Sequence, residues 1–179
     1  MSEPEIFRHL ILDLDNTLYS YERPHAMAQS AMIDYLSSIL RLEKSEIADV
    51  LGAARHTVKK RLGPTAASHS RLLYVQQMYR HLGLRVEPRV IVQAEQTYWS
   101  EFLGVMEPLN GLVDFLALAR QRGMEISVVT DLTSQIQLRK LIRLGIESWV
   151  DSLITSEEIG HDKSQPGTFA IALEMLKVP

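Results

Sequence analysis

At 179 residues the chain can bury a sizeable core, either as one domain or as a domain carrying a large insertion. Its 19 basic and 22 acidic residues give a net charge of −3, and its aromatic content is 7%, which excludes the positive field and the interleaved basic and aromatic stripe of a nucleic-acid binder. The absence of cysteine excludes disulfides, thiolate metal sites and a cysteine nucleophile. No apolar run approaches the roughly 20 residues of a membrane span, and the acidic start Met1 to Glu5 is unlike a signal peptide. A cytoplasmic soluble protein that meets neither nucleic acid nor membrane is expected.

The first element is the short apolar run Leu10-Ile11-Leu12, which reads as a buried strand. Its end delivers two carboxylates, Asp13 and Asp15, into the loop Asp13-Leu14-Asp15-Asn16-Thr17-Leu18-Tyr19. Two anions so close repel and are costly to desolvate, so a site that holds them carries a cation or does proton chemistry. A solvated loop is the alternative.

From about residue 23 to 103 the pattern is helical. Ala28, Ala31, Met32, Tyr35, Leu36, Ile39 and Leu40 recur at spacings of three and four, one apolar face of a first helix. Ile47, Val50, Leu51, Ala54 and Val58 mark a second; Leu72, Val75, Tyr79 and Leu82 mark a third, stopped by Gly83. A fourth runs from about Pro88 to Phe102, and Gly104 and Pro108 punctuate a linker.

After the linker, helix and strand alternate. Gly111 to Arg122 reads as a helix ended by Gly123, and Glu125 to Thr130 as a strand. Thr133 or Ser134 is expected to cap a helix that reaches Leu144 and closes at Gly145. A strand near Leu153 and a last helix, with Phe169, Ala170, Leu173 and Leu176 on one face, complete the chain. Such alternation predicts an α/β fold, a doubly wound parallel sheet with right-handed crossovers, interrupted by an all-helical insertion. Ligands bind beyond the C-terminal strand ends of such sheets, where Asp13, Asp15, Thr130 and the loop of Lys163 all fall.

The first loop resembles the Asp-x-Asp-x-Thr signature of the haloacid dehalogenase (HAD) superfamily. Glu125-Ile126-Ser127-Val128-Val129-Thr130-Asp131 is similar to that family's second signature, and Ser156-Glu157-Glu158-Ile159-Gly160-His161-Asp162-Lys163 to its third. The resemblance covers nearly the whole chain. It implies a Rossmann-like HAD core over residues 1–18 and 105–179, with a type 1 helical cap over residues 19–104.

The resemblance also implies roles. Asp13 would be the nucleophile that forms an aspartyl-phosphate, and Mg2+ the cofactor, held by Asp13 and the backbone carbonyl of Asp15. Asp15 would protonate the leaving oxygen and then activate water, which calls for a pKa near working pH. Thr130 and Lys163 would hold a phosphoryl oxygen, with Asp131 and Asn16 beside the substrate. Arg23, His69 and Arg71, with Tyr21 and His25, are candidate substrate contacts from the helical insertion, although exposed His and Arg usually do nothing specific. The expected activity is hydrolysis of a small phosphomonoester metabolite; a phosphomutase or a catalytically inactive phosphate-binding module are the alternatives.

The chain departs from the family pattern in three places. Asp131 stands where Asn is usual, and Ser164 where Pro often follows the Lys. No fourth signature of paired acidic residues precedes the end at Lys177-Val178-Pro179. That would leave the metal with fewer ligands and the Leu10 to Leu12 strand as an open edge, which invites a homodimer or another partner. A fragment or truncated product is the expectation.

Overall fold

The computed structural model describes residues 8–178; the acidic start Met1 to Glu5 and the terminal Pro179 lie outside the described residues. The chain divides into two units, residues 1–20 with 107–179, and residues 21–106. In chain order the elements are β1 (His9–Leu12), α1 (Glu22–Leu40), α2 (Lys44–Leu62), a 3-10 turn (Ala66–His69), α3 (Arg71–His81), α4 (Pro88–Val105), α5 (Leu112–Gln121), β2 (Glu125–Thr130), α6 (Ser134–Leu144), β3 (Ser152–Thr155), α7 (Ser156–Ile159) and α8 (Thr168–Met175).

The first unit is an α/β fold on a parallel sheet of order β1-β2-β3, with Leu12 opposite Val128 and Thr130 opposite Thr155. β2 is central, and from Ile126 to Thr130 every residue is buried, the continuous burial of a parallel strand covered on both faces. β1 lies at the edge of the described sheet and all four of its residues are half-buried. Where the chain leaves and re-enters this unit, Leu109 N donates to Leu18 O at 3.0 Å, so the two crossings lie side by side.

α8 presents a different face from the one the sequence suggested. Phe169 is 55% exposed, whereas Thr168 and Ala172 are buried. Ala172 packs with Val129 and Ile154, flanked by Ile11, Ile159 and Leu176. The phase of the helix is fixed at its start, where Thr168 Oγ1 donates to Asp162 O at 3.2 Å and turns that line of residues inward.

The second unit is all helical. α1 packs along α4, and α2 along α3, over a core that includes Met32, Leu36, Ile47, Met78, Tyr98 and Phe102. Fully burying one such side chain contributes roughly 1.5–3 kcal/mol. Ile39, expected on the inner face of α1, is 46% exposed, because the buried stripe runs Pro24, Ala28, Met32, Leu36 and then ends. α4 begins with Pro88, whose missing N–H costs nothing in the first turn. Ser70 caps α3 by accepting from Leu73 N at 3.3 Å. No helix among the described residues is long and apolar enough to cross a membrane.

Candidate functional site

The loop after β1 is shaped by its apolar residues. Leu14, Leu18 and Tyr19 are buried, and Thr17 N and Leu18 N both donate to Leu14 O, at 3.3 and 3.0 Å. The turn passes through Asn16 at φ 61°, a left-handed position that Asn tolerates. Asn16 itself is exposed. Asp13 and Asp15 therefore flank a buried anchor, with side chains 38% and 30% exposed.

Asp13 Oδ1 accepts Leu14 N at 2.8 Å and pairs with Lys163 Nζ, which joins positions 150 residues apart. Among the described residues Asp13 Oδ2 meets only Thr17 Oγ1, at 3.5 Å. Lys163 is placed by Asp131, whose Oδ1 accepts the Lys163 backbone N–H at 2.7 Å. Thr130 is buried at the end of β2; its hydroxyl accepts from Gln137 Nε2 at 2.6 Å and points its own proton toward Asp131 O at 3.4 Å. Asp13, Asp15, Thr130, Asp131 and Lys163 thus share one hydrogen-bonded cluster.

Asp15 is the most heavily engaged member. Oδ1 accepts from Tyr19 OH and from Lys140 Nζ at 2.5 Å, and Oδ2 from Gln137 Nε2 at 3.1 Å. Burial pushes the Asp15 carboxyl up, but the Lys140 charge and the hydrogen bonds from Lys140, Tyr19 and Gln137 together outweigh it and hold the group below the ordinary carboxylate value. These contacts favour the carboxylate form of Asp15.

Gln137 and Lys140 were missed by the sequence reading, because Leu138, Leu141 and Ile142 offer an apolar stripe of their own and the packing of α6 reveals the polar one. The buried face of α6 is Ile136, Gln137, Lys140, Leu141 and Leu144, while Leu138 and Ile142 are 50% and 62% exposed. A helix that turns a Lys and a Gln inward and two large aliphatic residues outward is organised around a polar partner.

The start of α6 is held by its neighbours rather than by its own cap. Thr133 makes no side-chain cap bond; Ser134 N donates to Glu157 Oε2 at 2.8 Å, and the Ser134 and Thr155 hydroxyls lie 2.7 Å apart. Leu132, at φ 90°, is a strained left-handed position for a residue with a Cβ, and its N–H donates to Ser156 Oγ at 3.0 Å. The chain thus turns sharply straight after Thr130 and Asp131.

The other candidates belong to the helical unit. Arg23 is exposed on α1 and His69 is half-buried at the end of the 3-10 turn. Arg71 is buried: its guanidinium donates to His69 O and Tyr21 OH, both at 2.7 Å, and to Tyr98 OH at 2.8 Å, and it lies 4.6 Å from the centre of the Tyr98 ring. His25 Nδ1 is 2.7 Å from the same Tyr98 hydroxyl, and burial, with the Arg71 and Arg55 charges, lowers its pKa to about 4.

Among the described residues no three His, Cys, Asp or Glu side chains cluster as a metal cage. The donor set still suits Mg2+, which is commonly held by one or two carboxylates plus waters and substrate phosphate. Among the described residues Asp13 Oδ2 has only the long Thr17 contact, whereas Asp15 Oδ1 is occupied by Tyr19 and Lys140 and Oδ2 keeps one lone pair for a proton, so Asp15 would serve a metal through its backbone carbonyl.

A family model for haloacid dehalogenase-like hydrolases matches residues 7–179. The chain is 33% identical over 169 residues to a ribulose-1,5-bisphosphate 5-phosphatase of Halopiger xanaduensis, covering 93% of this chain and 70% of that protein. It is 27% identical to a glyceraldehyde 3-phosphate phosphatase of Methanopyrus kandleri, over 97% of this chain and 72% of the relative. Its fold matches the Bacillus subtilis protein YfnB, solved bound to magnesium, with a TM-score of 0.64 at 18% identity over 94% of this chain and 73% of that one. The chain belongs to the haloacid dehalogenase-like hydrolases.

Proposed function

We propose that this protein hydrolyses a small phosphorylated sugar through an aspartyl-phosphate on Asp13. The observation that carries the reading is the contact of Lys163 with Asp13 Oδ1, which orients the carboxylate and leaves Oδ2 to attack. The Asp13 oxygen–phosphorus bond forms as the ester bond breaks, and the leaving oxygen takes a proton from Asp15. Water then loses a proton to Asp15 and attacks phosphorus, which releases inorganic phosphate and restores the Asp13 carboxylate. Asp15 as an anion suits the second half directly. For the first half, an arriving phosphate raises its pKa, because a second anion disfavours the ionised form. The Thr130 hydroxyl and the Lys163 ammonium stabilise the phosphoryl oxygens.

Mg2+, held by Asp13 and the Asp15 carbonyl, would neutralise phosphate charge when bound. The substrate class rests on the two phosphatases named above, whose substrates are phosphorylated sugars. The test is release of phosphate from p-nitrophenyl phosphate and from short sugar phosphates with and without Mg2+. Asp13→Asn is expected to remove activity by several orders of magnitude while the melting curve stays put. An Asn variant keeping more than about a hundredth of the wild-type rate rules out the covalent role.

A further inference from the structure

Lys140 and Gln137 lie one turn apart on α6, and they are 1% and 0% exposed. Both reach Asp15, Lys140 at Oδ1 and Gln137 at Oδ2. The same Gln137 amide nitrogen lies 2.6 Å from Thr130 Oγ1 and 2.6 Å from Asp131 O. One side chain thus ties the acid of the first loop to the hydroxyl and the backbone that end β2. The amide orientation is dictated, since turning it over would set its oxygen against a carboxylate and a carbonyl. The cost is visible at Oε1, which is buried with no partner among the described residues.

Stability does not explain this arrangement. A buried ion pair is commonly no better than apolar side chains of the same volume, and Leu or Met at both positions would cover α6 without desolvating a charge or orphaning an amide oxygen. What apolar residues could not do is hold a carboxylate in one rotamer. Asp15 sits on a turn beside an exposed Asn16 and Thr17, where a lone side chain is free to rotate into solvent. Lys140, Gln137 and Tyr19 grip it from two sides, and the Lys140 ammonium lies 5.7 Å from the centre of the Tyr19 ring.

We infer that Gln137 and Lys140 are positioning residues, which clamp the Asp15 carboxylate beside Thr130 so that it faces the reacting phosphate ester. The inference rests on the acid and base role given to Asp15 above. It predicts that Lys140 acts through Asp15, and Gln137 through Asp15 and the Thr130 hydroxyl that it also holds.

The test is a double-mutant cycle on full-length protein, Lys140→Met and Gln137→Leu each made alone and on an Asp15→Asn background. With an alkyl phosphate as substrate, each single variant is expected to lose about 10- to 100-fold in kcat, the effect of a modest misplacement, with KM little changed. The loss is expected to shrink on p-nitrophenyl phosphate, whose leaving group needs no proton; on the Asp15→Asn background it should vanish for Lys140→Met and shrink for Gln137→Leu, which also releases Thr130. Equal losses with and without Asp15 overturn the inference.

A crystal structure of each variant decides the point independently of activity. The Asp15 side chain is expected to leave its position; a carboxylate that stays in place overturns the inference even if no substrate is ever turned over. Failure of the Asp15 role shows separately, as an Asp15→Asn variant with wild-type kcat on the alkyl substrate. Should Lys140→Met fail to fold, the Gln137→Leu arm, which removes no charge, carries the same comparison.

Discussion

The Asp131 carboxylate accepts the backbone N–H of Lys163 at 2.7 Å, so the residue that follows β2 fixes the segment whose ammonium meets Asp13. Asp131→Ala frees that segment. A loss of about 10- to 100-fold in kcat/KM is expected, the scale of a modest misplacement of a charge-stabilising group. Asp131→Asn, which keeps an acceptor oxygen, should lose much less. Steady-state kinetics with p-nitrophenyl phosphate separate the two, and an Ala variant as active as wild type refutes this role.

Ser156 holds the strained turn after β2. Ser156→Ala leaves the buried Leu132 N–H without its acceptor, at a cost of about 1–3 kcal/mol. For a chain of this length that corresponds to a melting point lower by roughly 2–4 °C for each kcal/mol. Calorimetry that finds no change would mean that the N–H has another acceptor, or water, within reach.

Tyr79 offers the opposite sign. Its ring is fully buried and its hydroxyl has no hydrogen-bond partner among the described residues. Burial pushes its pKa up, the expected response of a phenol kept from water. Tyr79→Phe removes an unsatisfied polar atom without changing the ring, so the variant should melt at or above the wild-type temperature. A clear drop would reveal a hydrogen bond to that hydroxyl.

His25 links stability of the helical unit to pH. Its pKa falls from 6.5 to about 4 because burial, then Arg71 and Arg55, disfavour the imidazolium beside Tyr98. Between those values the unfolded chain binds a proton that the folded one refuses, so stability rises with pH from about 4 to 6.5 and is lost as pH falls through that window. His25→Gln, which cannot titrate, should flatten this part of the profile. Urea unfolding at a series of pH values measures it, and an unchanged slope would assign the effect elsewhere.

Much of this fold is local and therefore legible in the chain. Apolar residues at spacings of three and four mark α1 to α4 before any packing is known, because a helix buries one stripe whatever it meets. Gly83, Gly123 and Gly145 sit at positive φ just past α3, α5 and α6, where a residue without a Cβ is needed. The order of Asp13, Thr130 and Lys163 along the chain likewise points to one end of a parallel sheet, since strand ends are set by sequence and topology together.

What only the tertiary structure decided are the long-range partners and the phase of each helix. Nothing in Phe169 or Ile39 says that they face outward; the Thr168 bond to Asp162 and the packing of Ala172 settle the first. Gln137 and Lys140 read locally as the solvated face of α6, because a polar residue is cheapest in water. They become interior only because Asp15, more than a hundred residues earlier, is brought against them as the acceptor that offsets their desolvation. The chain spells out which residues can do chemistry, but pairing an ion with its partner is a property of the folded sheet, where sequence distance no longer counts.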